Sequence, residues 1–173
     1  MGQEISASQF DKSDFNQFHQ KLKQETTLLK EMIEQNACSM RAPVAGFEIE
    51  ASIVDKDMHP SPINEHFLAS LNSPLAFEEL AKFNIELNST PTPLAGNVFS
   101  HMYMQLQSTW NSAYEHAESL QNQLIMIGTL PTLKQSDLNL AHTSALNRYR
   151  ALNDQIFQSR KQPINLDITG NEH

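Results

Sequence analysis

The chain has 173 residues, 39% of them hydrophobic, and a formal net charge of −8, which suits one domain with a substantial core and excludes the basic stripe that nucleic-acid binding requires. A single cysteine, Cys38, excludes an intrachain disulfide and a thiolate metal site and fits a reducing, cytoplasmic setting. No apolar run reaches membrane-spanning length and the first residues lack the pattern of a secretion signal, so a soluble protein without a membrane partner is expected.

Phe15, Phe18, Leu22, Leu29 and Ile33 recur at helical steps and predict an amphipathic helix from about Ser13 to Asn36, with Ser13 or Asp14 as its N-cap. Arg41-Ala-Pro-Val ends it, because a residue before proline is pushed out of helical space. From Gly46 to Val54 the period changes to two: Phe47, Ile49, Ala51 and Ile53 share one face of a strand, and Glu48 and Glu50 share the other. A polar, proline-broken turn follows, then a short helix from Asn64 to Leu71. Pro74 at a first helical position predicts a further helix over Leu75 to Ala81.

Alternation returns between Phe83 and Pro91, with Phe83, Ile85 and Leu87 opposite Asn84, Glu86 and Asn88. After a rigid Thr-Pro loop, the stripe Val98, Met102, Leu106, Ala113, Ala117, Leu120, Leu124, Ile127 predicts one long helix of roughly thirty residues. Gly128-Thr-Leu-Pro breaks it, another helix is read around Thr143 to Arg160, and Pro163 to Thr169 alternates again as a third strand with Asn165, Asp167 and Thr169 on its polar side. The sum is an α+β domain: a small antiparallel sheet covered on one face by long amphipathic helices.

If the first two strands lie side by side, Glu48, Glu50 and Glu86 converge on one wall whose back is core. Clustered carboxylates repel one another and are held ionised by a cation, which points to a divalent metal site. Such an ion would also invert the local field for an anionic substrate. The competing reading of a Glu-x-Glu is a solvated strand face. Asn88 and Thr90 either touch a ligand or cap the turn that follows them. Arg148 and Tyr149 either bind an anion or pack as a helix-surface pair, and Asp167 is placed to extend the acidic wall. There is no zinc-type His pair, no nucleophile elbow and no Gly-rich phosphate loop, so any nucleotide would bind through metal and sheet.

Four segments, Gly-Phe-Glu-Ile-Glu at 46–50, Ile-Glu-Leu-Asn-Ser-Thr-Pro at 85–91, Ile-Gly-Thr-Leu-Pro-Thr-Leu at 127–133 and Arg-Tyr-Arg-Ala-Leu-Asn at 148–153, resemble the N-terminal part of the type 2 glutamate-cysteine ligase family. That family comprises carboxylate-amine ligases related by fold to glutamine synthetase. The resemblance implies a partial glutamine synthetase-like sheet and an ATP-dependent reaction of glutathione biosynthesis. Glutamate's side-chain carboxylate is phosphorylated, and the amine of cysteine attacks the acyl phosphate. It further implies Mg²⁺ or Mn²⁺ with ATP as co-substrate, Glu48, Glu50 and Glu86 as metal ligands, and Asn88, Thr90, Arg148 and Tyr149 as candidate substrate contacts. Relatives continue with further strands, so residues 1–173 are expected to form the N-terminal part of a larger catalytic domain, helical over 1–40 and built of sheet and helices over 44–173. The alternative expectation is a non-catalytic helical interaction domain, or a truncated and inactive ligase relative, that self-associates through an exposed apolar face.

Overall fold

The period-two segments do become strands, and their partners set the architecture of the computed structural model, which describes residues 4–160. These residues divide into two compact units, one spanning Ser39–Ser144 and the other made of residues 4–38 with 145–160. The class is α+β, as the patterning predicts. The third strand read at Pro163 to Thr169, with Asp167, lies outside the described residues.

Unit Ser39–Ser144 holds a four-stranded antiparallel sheet. Its strands are β2 (Glu48–Val54), β3 (Ala76–Glu78), β4 (Asn84–Asn88) and β6 (Gln123–Ile125), in the order β3-β4-β2-β6. A separate pair, β1 (Val44–Ala45) with β5 (Thr92–Pro93), ties the approach to β2 to the exit from β4. Ala51 stands opposite Ile85 and Ile49 opposite Leu87, so the apolar halves of β2 and β4 form one continuous surface. Helices α2 (Asn64–Leu71) and α3 (Val98–Ser119) cover it. Phe67 of α2 and Ala113 and Ala117 of α3 pack on Ala51, Ile53, Ile85, Leu87 and Leu124. The small alanines let α3 approach the sheet closely, and Phe67 fills the space beside them.

Asn64 fixes the start of α2. Its buried Nδ2 donates to Ala81 O at 3.3 Å, to Asn84 O at 3.2 Å and to Ser144 Oγ at 2.9 Å. One amide thereby satisfies carbonyls at the entrance to β4, where buried acceptors without donors would be costly.

Three expectations are corrected here. Residues Leu75 to Ala81 are not a helix: Ala76–Glu78 pairs with β4, Phe77 facing Glu86, because ladder bonding to an already formed edge outweighs the weak preference of a seven-residue segment. The long helix stops at Ser119. Gln121 takes φ +59° and the chain reverses into β6, where Leu124 pairs with Ile53, so of the stripe residues past Ser119 Leu124 is buried as a strand residue, while Leu120 caps the helix and Ile127 is exposed. Phe47 does not share the core face of β2. It precedes the strand and is exposed, its ring 6.2 Å from that of Phe99.

The other unit contains α1 (Lys12–Glu34) and α4 (Asn147–Arg160). The N-cap of α1 is Asp11 rather than Ser13 or Asp14. Asp11 Oδ1 accepts from the N–H groups of Ser13 (2.6 Å) and Asp14 (3.1 Å), while Asp14 Oδ2 accepts from the Asp11 N–H (2.9 Å). That reciprocal box satisfies more of the helix's orphan donors than either predicted cap would. α4 begins at Asn147 rather than Thr143, and Asn147 donates to Ile5 O at 3.0 Å.

Candidate functional site

β6 pairs only with Ser52–Val54 of β2, so at Glu48 and Glu50 the strand is bonded to β4 alone among the described strands, and both glutamates are exposed, as the solvated-face reading supposes. The register puts Glu50 directly opposite Glu86 and Glu48 opposite Asn88. Paired residues in an antiparallel ladder project to the same side, so Glu48, Glu50 and Glu86 share one sheet face, within about 5 Å to 8 Å of each other at Cβ. The structure therefore brings together the three acids singled out from the sequence. Glu86 is 4% exposed, a degree of burial rarely reached by an unassisted carboxylate.

Hydrogen bonding accounts for Glu86. Asn88 Nδ2 donates to Glu86 Oε1 at 2.8 Å, and Glu79 shares a side-chain hydrogen bond with it. Burial pushes the Glu86 carboxyl up, but hydrogen bonds to its charged form, those of Asn88 and Glu79 foremost, hold it below its ordinary value. Glu79 moves the other way. Burial raises it first, and the hydrogen bond to Glu86 and the charges of Glu50 and Glu86 add to the rise. Their shared hydrogen bond thus disfavours ionisation of Glu79 and favours that of Glu86.

Sequence reasoning missed Glu79. A helix over 75–81 would have sent it to solvent, whereas the β3–β4 pairing delivers it to Glu86. Phe77, cross-strand from Glu86, was missed for the same reason.

Glu79 carries a pH consequence of definite sign. Its folded-state pKa lies above the unfolded value near 4.5, so its proton contributes stability that is complete below that value and is lost as pH rises through the folded pKa. Glu86 is depressed and acts oppositely, its contribution present above 4.5 and lost as pH falls through its folded pKa. Glu79→Gln keeps a donor beside Glu86 without needing a proton. The variant is expected to be more stable than wild type at pH 7 and to lose the decline above pH 4.5, read as urea midpoints across pH.

At one end of the acidic face lies a cavity of about 420 Å³ walled by Phe47, Leu75, Phe77 and Pro91, with Glu48 and Asn88 reaching it. Gly46 lines it too, where a Cβ would meet Ser89 O at 3.4 Å, an ordinary contact, beside the hydrogen bond in which Ser89 Oγ accepts from the Phe47 N–H at 2.7 Å. Asn88 Oδ1 is buried without a hydrogen-bond partner among the described residues, a carbonyl oxygen that a ligand donor or a cation would satisfy. Thr90 lines the same cavity, but Gln105 of α3 engages it twice: Gln105 Oε1 accepts from the Thr90 N–H at 2.9 Å, and Nε2 donates to Thr90 Oγ1 at 2.8 Å. Arg148 and Tyr149 lie on α4 in the other unit. Arg148 Nη2 donates to Tyr149 Oη at 3.1 Å, and its guanidinium carbon lies 4.8 Å from the ring centre, the geometry of a cation–π pair.

No family model, curated protein or solved structure matches the chain. The site is therefore judged on its own chemistry. Among the described residues no three His, Cys, Asp or Glu groups are arranged to hold a metal ion. The acidic face supplies oxygen donors alone, and Mg²⁺ characteristically uses one or two carboxylates and completes its shell with water and substrate phosphates. Glu50 and Glu86, with Glu48 and the unpartnered Asn88 oxygen beside them, fit that partial role and would not fit a soft metal or an all-protein cage. No helix among the described residues is long and apolar enough to cross a membrane.

Proposed function

We propose that this chain is the N-terminal region of an ATP- and Mg²⁺-dependent carboxylate-amine ligase of the glutamate-cysteine type, acting in the cytoplasm on small-molecule substrates. In this reading Glu50 and Glu86 bind the cation on the polar face of the sheet, with Glu48 beside them and water and phosphate completing its shell. The observation that carries it is the register that sets Glu50 against Glu86 and Glu48 against Asn88. The four family-like segments support it independently.

A bound Mg²⁺ would supply charge neutralisation at the transferring phosphoryl group. The chain's own residues do the rest of what this portion contributes. Asn88 orients the Glu86 carboxylate, the sheet fixes Glu48 and Glu50 at strand spacing, and the apolar core behind them keeps the wall rigid. Ionisation of Glu79 adds negative charge beside this wall, so affinity for Mg²⁺ rises with pH as Glu79 titrates above its ordinary value. The Phe47–Phe77 cavity, with its buried acceptor oxygen, offers a ligand room beside the charged wall.

Titration calorimetry of the chain with Mn²⁺ or Mg²⁺ in the presence of ATP tests the assignment. Binding that tightens as pH rises above the ordinary carboxylate range is expected; no heat at millimolar ion and nucleotide would rule it out. One observation favours the second reading, a helical interaction domain: every residue of α1 is exposed.

A further inference from the structure

Helix α1 has an apolar seam that, apart from the Phe10 ring set edge-on to Phe15, no described residue covers. Phe15, Phe18, Leu22, Leu29 and Met32 follow alternating steps of three and four, with Glu25 in the remaining position of the repeat, and not one residue of the helix is buried. Phe18 is 59% exposed and Leu29 54%. A 3-4 spacing over three heptads is the pattern of a two-helix seam rather than of a helix lying on a sheet.

The charges of α1 are separated along its length. The half ending at Lys23 carries Lys12, Lys21 and Lys23 against Asp14; the half beginning at Gln24 carries Glu25, Glu31 and Glu34 against Lys30. A parallel partner of the same sequence would set like charges together and place Glu25 against its own copy in the seam. Running antiparallel about the middle of the seam, Glu25 of each helix faces Leu22 of the other and lies beside Lys21, which flanks the seam, whereas Lys23, Glu31 and Glu34 turn outward. The helix dipoles also oppose favourably. Shape agrees with charge: at the N-terminal end a hollow of about 350 Å³ is lined by Phe10, Phe15, Phe18, Asp14 and His19, while the C-terminal end presents exposed Met32 and Ile33. An antiparallel copy brings those apolar side chains to the hollow at both ends of the contact.

We infer that α1 is a homodimerisation helix, its Phe15–Met32 seam docking antiparallel on the same helix of a second copy. This goes beyond the ligase reading and stands apart from it, since it concerns a helix in the other unit and is read out as mass rather than as activity.

Sedimentation equilibrium of the full chain at low ionic strength is expected to give a dimer. The paired substitution Leu22→Glu with Leu29→Glu should leave a monomer whose sheet and remaining helices persist by circular dichroism. Because seam variants could unfold α1, surface charge supplies the second arm. Lys21→Glu, which sets a new carboxylate beside Glu25 of the other copy, should weaken the dimer about tenfold, and mixing that variant with Glu25→Lys should restore association as a heterodimer. Exposed Cys38 lies just past the helix, so antiparallel copies keep the two thiols at opposite ends and mild oxidation should not link them. A monomeric wild type, a dimer indifferent to the charge variants, or rapid Cys38–Cys38 crosslinking within the dimer would each overturn the proposal.

Discussion

Glu50→Gln is expected to weaken divalent-cation binding by about a hundredfold or more while making the folded chain slightly more stable. Losing even an outer-shell partner of a metal typically costs roughly 10- to 100-fold in affinity, and Glu50 is proposed as a direct ligand. The stability change has the opposite sign because Glu50 stands cross-strand from Glu86. Like charges facing each other in an antiparallel pair are destabilising by about 0.2 to 1 kcal/mol, and Gln removes the repulsion at constant shape. Glu50 also helps to raise Glu79, so the Glu79 titration should move back toward its ordinary value in the same variant. Mn²⁺ titration followed by electron paramagnetic resonance gives the affinity, and urea unfolding without metal gives the stability. In a complete ligase, Glu48→Gln or Glu50→Gln should abolish turnover with the fold intact. Unchanged affinity and activity would remove the metal role from this face.

Phe67→Ala is expected to be the most damaging substitution in the sheet unit, costing about 3 to 5 kcal/mol. Phe67 has no exposed surface and is the aromatic member of the cluster between α2, α3 and the sheet. Its ring meets that of His116 edge-on at 5.1 Å, and Ser70 Oγ lies 2.8 Å from His116 Nε2. Truncation opens a cavity in contact with both strands and both helices, where the alanines of α3 are too short to collapse into it. Since domains of this size are stable by only about 5 to 15 kcal/mol, the loss should lower the thermal midpoint by roughly ten degrees or more. Phe77→Ala, half-exposed on the acidic face, should change stability by less than about 0.5 kcal/mol and serves as the control.

The acidic face is the part of the site that sequence patterning described best. Glu48, Glu50, Glu86 and Asn88 were readable because alternation assigns a face whenever one side of a strand is buried, and a slip of one residue would have exposed Ile49, Ala51, Ile85 and Leu87 together. Helix Asn64–Leu71 was readable to the residue, and α1 to within two residues of each end. Glu79 and Phe77 were hidden inside β3, which has three residues and no room to display a period. Pro74 before it gave a helix-start signal that pairing with β4 overrode. The end of α3 was hidden differently. Leu120, Leu124 and Ile127 keep helical spacing, and the turn at Gln121 uses a left-handed residue that is neither Gly nor Asn, so no punctuation marked the break.

By itself, the sequence determined the α+β class, the two central strands and which side of each carries acid, because periodicity is a local record of which residues must leave water. Only the tertiary structure decided that β2 pairs with both β4 and β6, that β3 and β6 complete the sheet, and that Glu79 hydrogen-bonds Glu86. Strand pairing joins residues far apart in the chain, and its energy resides in hydrogen bonds and contacts that no local window contains.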